Sequence, residues 1–139
     1  MDRRELEERT RSFALNVIEL SNGLPRTMAA EVIARQLVRS GTSVGANYRE
    51  AGRAESRNDF IHKIAIATKE LSETIYWLEL LLGSGTISPG KYETLSKEAE
   101  ELLRILTASG RTAKENRRKT QLEIRESAPP SDSTNDDLW

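Results

Sequence analysis

Cysteine is absent from the 139 residues and histidine occurs once. Without thiols there is no disulfide framework, Cys-based zinc site or thiol nucleophile, and one imidazole cannot build a multi-His metal cluster. Proline occurs only at Pro25, Pro89, Pro129 and Pro130, so long stretches run without a helix breaker. No run approaches the ~18 apolar residues of a membrane span. The opening Met1-Asp2-Arg3-Arg4-Glu5 is not followed by the apolar segment of a signal peptide, so a cytoplasmic chain without membrane contact is expected. An excess of charge of one sign is also missing: 31% of residues are charged, yet the net charge is -1. Such balance, with 37% hydrophobic content, is compatible with one modest core rather than a disordered chain. Gly41 and Gly45 lie inside a helical pattern and are not followed by a Lys-Ser or Lys-Thr pair, which excludes a phosphate-binding loop.

What is present is helical periodicity. Leu6, Thr10, Phe13, Val17, Leu20 and Leu24 step by three and four, and Asn22-Gly23 with Pro25 closes that stretch. Ala30, Ile33, Leu37, Gly41, Val44, Tyr48 and Ala51 repeat the pattern through the small residues 40–46, where two glycines predict close packing or a kink. Phe60, Ile64, Ala67, Leu71, Ile75, Leu78 and Leu82 form a third stripe behind a Ser56 cap, predicting a helix from about Ser56 to Leu82. Gly83-Ser84-Gly85 stops it. Ser88-Pro89 then starts a fourth helix carrying Tyr92, Leu95, Ala99, Leu102, Leu103 and Leu106. Four amphipathic helices with short turns predict an all-α fold, an antiparallel up-down four-helix bundle over residues 1–119. Residues 120–139, polar and Pro-containing, are expected to be a disordered acidic C-terminal tail that is dispensable for folding. Residues 1–120 hold 20 basic and 17 acidic side chains, and residues 121–139 hold 1 and 5. A mildly basic body therefore carries an acidic segment.

Catalytic patterns are wanting. Asp59-x-x-His62 is half of a di-iron motif, but both residues lie off the apolar stripe and no second unit accompanies them. No cofactor, metal or enzymatic activity is expected. Two features point instead to binding. On a helical wheel Arg35, Arg39, Arg49 and Arg53 cluster opposite the core stripe of the second helix, and Arg111, Lys114, Arg117, Arg118 and Lys119 end the fourth. Guanidinium groups in such a row suit phosphates. A solvated face balanced by Glu31 and Glu50, or charges complementing a helix dipole, would explain the same residues without a partner. Ile66 and Trp77, about three turns apart on the third helix and away from its stripe, are expected to mark a subunit interface, the alternative being singly exposed apolar residues that need no partner.

The segments Leu37-Val38-Arg39-Ser40-Gly41-Thr42-Ser43-Val44-Gly45-Ala46-Asn47-Tyr48-Arg49-Glu50-Ala51 and Glu55-Ser56-Arg57-Asn58-Asp59-Phe60-Ile61-His62-Lys63 carry a resemblance. With Glu70-Leu71-Ser72-Glu73-Thr74 and Trp77-Leu78-Glu79-Leu80-Leu81, they resemble the bacterial four-helix bundle family encoded in intervening sequences of 23S ribosomal RNA genes. The family's central motif falls on Ser43, Asn47 and Glu50, with Gly45 where many members have Pro and Ala51 where many have Gly. Related accessory proteins of diversity-generating retroelements form five-subunit rings and work with a reverse transcriptase and RNA through a basic surface. The resemblance thus implies a non-enzymatic, ring-shaped homo-oligomer, a homopentamer by analogy, with RNA, DNA or a reverse transcriptase as possible partners. A protein-interaction module without a nucleic-acid role is the alternative.

Overall fold

Each helix begins on a side chain that accepts a hydrogen bond from the backbone three residues on. Asp2 accepts from the Glu5 amide at 2.8 Å, Thr27 from Ala30 at 3.2 Å, Ser56 from Asp59 at 3.0 Å and Ser88 from Lys91 at 3.3 Å. These caps satisfy amides that the helix itself leaves unpaired. A computed structural model describes residues 1–129 and shows α1 (Arg3–Asn22), α2 (Met28–Gly52), α3 (Arg57–Gly83) and α4 (Pro89–Ser127), with no strand among the described residues. Pro89 occupies the first turn of α4, where its missing amide costs nothing. Gly85, at φ 73°, makes the reversal between α3 and α4 that a side chain would resist. Among the described residues no helix is long and apolar enough to cross a membrane.

The helices form an up-down four-helix bundle in which α1 packs on α2, α2 on α3 and α3 on α4, while α1 and α4 meet sparsely. That last seam is held by Arg9, which forks onto Glu98 at 2.6 Å. The core draws Phe13 and Val17 from α1, Leu37 and Val44 from α2, Leu71 and Leu78 from α3, and Leu102 and Leu106 from α4. On α3 the buried seam is Ile61, Ile64, Ala67, Leu71, Thr74, Leu78 and Leu81. Phe60, Ile75 and Leu82, expected in the stripe, are half-buried. The reason is that α3 packs on two neighbours, so its wider contact face includes Thr74, whose hydroxyl lies 2.8 Å from that of Ser40 on α2.

α2 runs as one helix through its glycines, where it packs closely on α1. A Cβ on Gly41 would stand 2.9 Å from Val17 Cγ1, and one on Gly45 would stand 3.1 Å from Thr10 Oγ1. α1 therefore lies directly on the α2 backbone.

α4 continues past Lys119 to Ser127, which corrects the expected start of the tail at residue 120. Gln121-Leu122-Glu123-Ile124-Arg125-Glu126 are adequate helix formers with no breaker among them, and Pro129 forces the preceding Ala128 into extended backbone. Packing nevertheless fades earlier: Leu106 is the last buried residue among those described, and every residue of 118–129 is exposed. The acidic stretch 130–139, expected to be disordered, lies outside the described residues.

Burial pushes the Tyr48 phenol above its usual 10.0, with Glu7 adding to the effect. Lys63 is also raised, chiefly by its hydrogen bond to Glu50. Folding thus favours neutral Tyr48 and charged Lys63, contributions present below the unfolded pKa values and lost as the pH rises above ~10. Thermal unfolding should show a lower midpoint at pH 11 than at pH 9, and Tyr48→Phe should shrink that difference. An equal fall in both proteins would exclude Tyr48 as a source.

Candidate nucleic-acid interface

Arg35, Arg39, Arg49 and Arg53 all stand exposed on α2, opposite its buried face. Their surroundings divide them. Arg39 reaches across to α3, with Nη1 3.0 Å from Glu70 Oε2, Nη2 on Glu73 Oε1 and Nε 3.1 Å from its own helix's Gln36. The hydrogen bond to Glu73, followed by the charge of Glu70, holds this guanidinium above its ordinary pKa. Arg39 is thereby an α2–α3 clamp, neutralised by Glu70 and Glu73 rather than by the expected Glu31 and Glu50. Glu50 instead pairs with Lys63 at 2.7 Å. Arg35, Arg49 and Arg53 form no ion pair among the described residues.

The up-down topology carries the end of α2, the start of α3 and the distal half of α4 to the same end of the bundle. Arg49 and Arg53 occupy the last turn and cap of α2, and Arg57 opens α3. From α4, Arg117 donates to Asn58 Oδ1 at 3.0 Å, and Thr120 accepts from Arg57 at 2.9 Å. Arg3, at the start of α1, donates to the Gly52 carbonyl at 2.9 Å. An open depression of about 570 Å³ lies among them, bounded by Arg3, Gly52, Arg57, Phe60 and Asn116. Arg118 and Lys119 are exposed beside this end, whereas Arg111 and Lys114 line a groove between α3 and α4. Arg35 lies about four helical turns nearer the start of α2 than Arg49 and stands apart, as does Arg39.

What gathers at this end is a majority of fixed positive charge with hydrogen-bond donors, the Glu55 carboxylate also lining the depression, an arrangement able to hold phosphate groups. Arg3 and Arg57 carry no local signal of this placement, because each opens its helix outside the two basic clusters. Their signal was topological: in an up-down bundle the first turn of α1 must meet the last of α2.

A family model described as 23S rRNA-intervening sequence protein matches residues 4–108. The chain belongs to this family. A crystal structure from Bacteroides thetaiotaomicron, of a protein of unknown function in the S23 ribosomal protein family, is 38% identical. The alignment covers 80% of this chain and 99% of that one, with a TM-score of 0.75. No curated protein matches the chain.

Within this 23S rRNA-intervening sequence protein fold, the motif residues serve the helices. Ser43 Oγ donates to the Arg39 carbonyl at 2.6 Å, and Asn47 Nδ2 donates to the Ser43 carbonyl at 2.9 Å. Glu50 supplies the Lys63 pair that joins α2 to α3. The region from Arg111 to Lys119, with five basic residues against Glu115, lies beyond the matched residues.

Ile66 and Trp77 do not stand clear of the bundle as expected. Both are half-buried, and Trp77 packs against the core with its Nε1 enclosed and without a hydrogen-bond partner. The bulky apolar side chains that do reach solvent include Leu15 and Ile18 on α1, Val32 on α2 and Tyr76 on α3.

Proposed function

We propose that the protein is a non-enzymatic, homo-oligomeric four-helix scaffold that binds RNA or DNA through the basic end of its bundle. The presence of Arg49, Arg53, Arg57, Arg117 and Arg118 at one end of the bundle carries this reading, with Arg57 and Arg117 reaching across between α3 and α4. A single subunit has a net charge of -1, and only residues 1–120 carry a mild positive excess. Ring assembly repeats the patch and turns weak contacts into avidity. A reverse transcriptase is the protein partner that the resemblance to retroelement accessory proteins implies. The second reading, a protein-interaction module, is favoured by the neutralisation of Arg39 and the exposed apolar residues on α1, α2 and α3.

Fluorescence anisotropy with structured RNA and single-stranded DNA tests the proposal. If each of several subunits engages one or two phosphates, affinity should fall by about 10³-fold or more between 50 and 200 mM salt. Arg53→Glu with Arg118→Glu should weaken binding more than tenfold without changing the oligomer, and Arg35→Glu should have a smaller effect. Failure of the intact protein to bind either probe at low salt would leave the protein-interaction reading standing.

A further inference from the structure

The groove between α3 and α4 differs from the rest of the surface in its lining. Ile61, Ile64 and Leu106 lie at its base, and Lys69, Arg111 and Lys114 stand along it. No carboxylate lines it, and none of the three cations forms an ion pair among the described residues. It is open because Gly110 has no side chain where a Cβ would come within 3.2 Å of Ile64 Cγ2, while Ala65, Thr68 and Thr107 are too small to close it. The resulting space of about 440 Å³ combines apolar carbon with unneutralised positive charge.

The chain holds a segment of complementary chemistry. Residues 130–139 contain Asp132, Asp136 and Asp137, no basic residue, and the apolar pair Leu138-Trp139. Reach is adequate. Helical rise places Gly110 about 25 Å back along α4 from Ser127. The twelve residues 128–139 span up to about 40 Å when extended, enough to return Trp139 to the level of Gly110.

We propose that residues 132–139 dock in the α3–α4 groove of their own subunit, the aspartates on Lys69, Arg111 and Lys114 and the Leu138-Trp139 pair over the apolar base. Nucleic acid would then compete with a built-in anion for Arg111 and Lys114. Only this consequence rests on the nucleic-acid reading; the docking does not.

The test uses the full chain with Trp77→Phe, so that Trp139 is the single fluorophore. At low salt Trp139 should emit at shorter wavelength and be quenched by acrylamide at least twofold less than after Lys69→Glu with Arg111→Glu. Asp132→Asn, Asp136→Asn and Asp137→Asn together should expose it equally, and 0.5 M salt should weaken the protection. Should Trp77→Phe disturb the core, the difference in emission between the natural chain and its Trp139→Phe variant reports the same quantity. Quenching in the full chain as strong as in these variants would overturn the inference. Protection that disappears on dilution would overturn its placement within one subunit.

In anisotropy, ending the chain after Pro129 should tighten nucleic-acid binding several-fold at low salt and little at high salt. Protected Trp139 in a protein that binds no nucleic acid would refute the proposed function alone. Exposed Trp139 in a protein that binds strongly would refute the docking alone.

Discussion

Gly41→Leu should prevent the chain from holding its native fold, because the position has no room for even the first carbon of a side chain. A Cβ there would lie 2.9 and 3.0 Å from the two γ-methyls of Val17 and 3.2 Å from its Cβ. Val17 cannot turn away: it is fully buried, and β-branched side chains in helices are confined largely to one rotamer. Relief requires α1 to move off α2, opening the packing around Phe13 and Leu37. Overpacking costs about 1–3 kcal/mol for extra methylenes in a tight core, and a whole leucine side chain exceeds that. Against a total stability of about 5–15 kcal/mol, the loss is large enough to unfold a small domain.

Gly41→Ala makes the argument quantitative. Alanine gains about 1 kcal/mol of helix propensity over glycine, so the clash and the propensity oppose one another. The clash should win, with a net loss of about 1–2 kcal/mol. Adding Val17→Ala to Gly41→Ala should recover part of it, since the methyls being struck are gone, and the double-mutant cycle should show coupling. Gly90→Ala is the control: nothing lies within 4 Å of a Cβ there, so it should be neutral or slightly stabilising. Urea unfolding followed by circular dichroism measures all four. A Gly41→Ala protein more stable than the parent would mean that the α1–α2 spacing adjusts at little cost.

The fold was legible where its determinants are local. The Ser56 and Ser88 caps, the Pro89 start and the three-and-four spacing of Leu71, Leu78, Leu102 and Leu106 act within one or two turns, and the helices lie where these residues place them. Gly41 and Gly45 signalled close packing because a buried glycine in a helix forfeits propensity and is kept by contact. The apolar stripe of α4 ends at Leu106, yet the helix runs twenty-one residues further to Ser127. Periodicity reports packing, whereas backbone conformation there follows from propensity and the absence of a breaker before Pro129.

The candidate site was only half legible, since its charges are assembled by topology. Nothing local distinguishes Arg39 from Arg53 on the helical wheel. Only the approach of Glu70 and Glu73 from α3 removes one and leaves the other. Ile87 is a comparable case in the core. It is buried in the turn between α3 and α4, at a position with no periodic neighbour, because its amide folds back onto the Leu81 carbonyl at 3.2 Å.

Light scattering should find the protein at about five times the mass of one chain, and Val32→Glu with Tyr76→Glu should reduce it to a folded monomer. These positions replace Trp77 as the probe of assembly. Trp77→Glu would place a carboxylate against the core and confound dissociation with unfolding, whereas Val32 and Tyr76 are 53% and 52% exposed. Leu15 and Ile18 provide separate apolar surface on α1. Exposed apolar side chains on α1, and others on α2 and α3, suit a head-to-tail contact, in which the α1 surface of one copy meets the α2–α3 surface of the next. Such contacts close into rings when the rotation between copies is a whole fraction of a turn. Each glutamate pair would have to be desolvated in that contact but meets only water in the monomer, so assembly should be lost while helicity and the unfolding transition survive. Leu15→Glu with Ile18→Glu should do the same from the opposite side. Mixing the two variants then separates the geometries. Each retains one intact surface, so a head-to-tail interface allows a mixture to form one contact per pair and to stop at dimers. An interface in which each surface meets its own copy would instead leave each variant associating with itself. A parent protein at the mass of one chain throughout the micromolar range would refute the assembly and remove the avidity on which nucleic-acid binding by a subunit of net charge -1 depends.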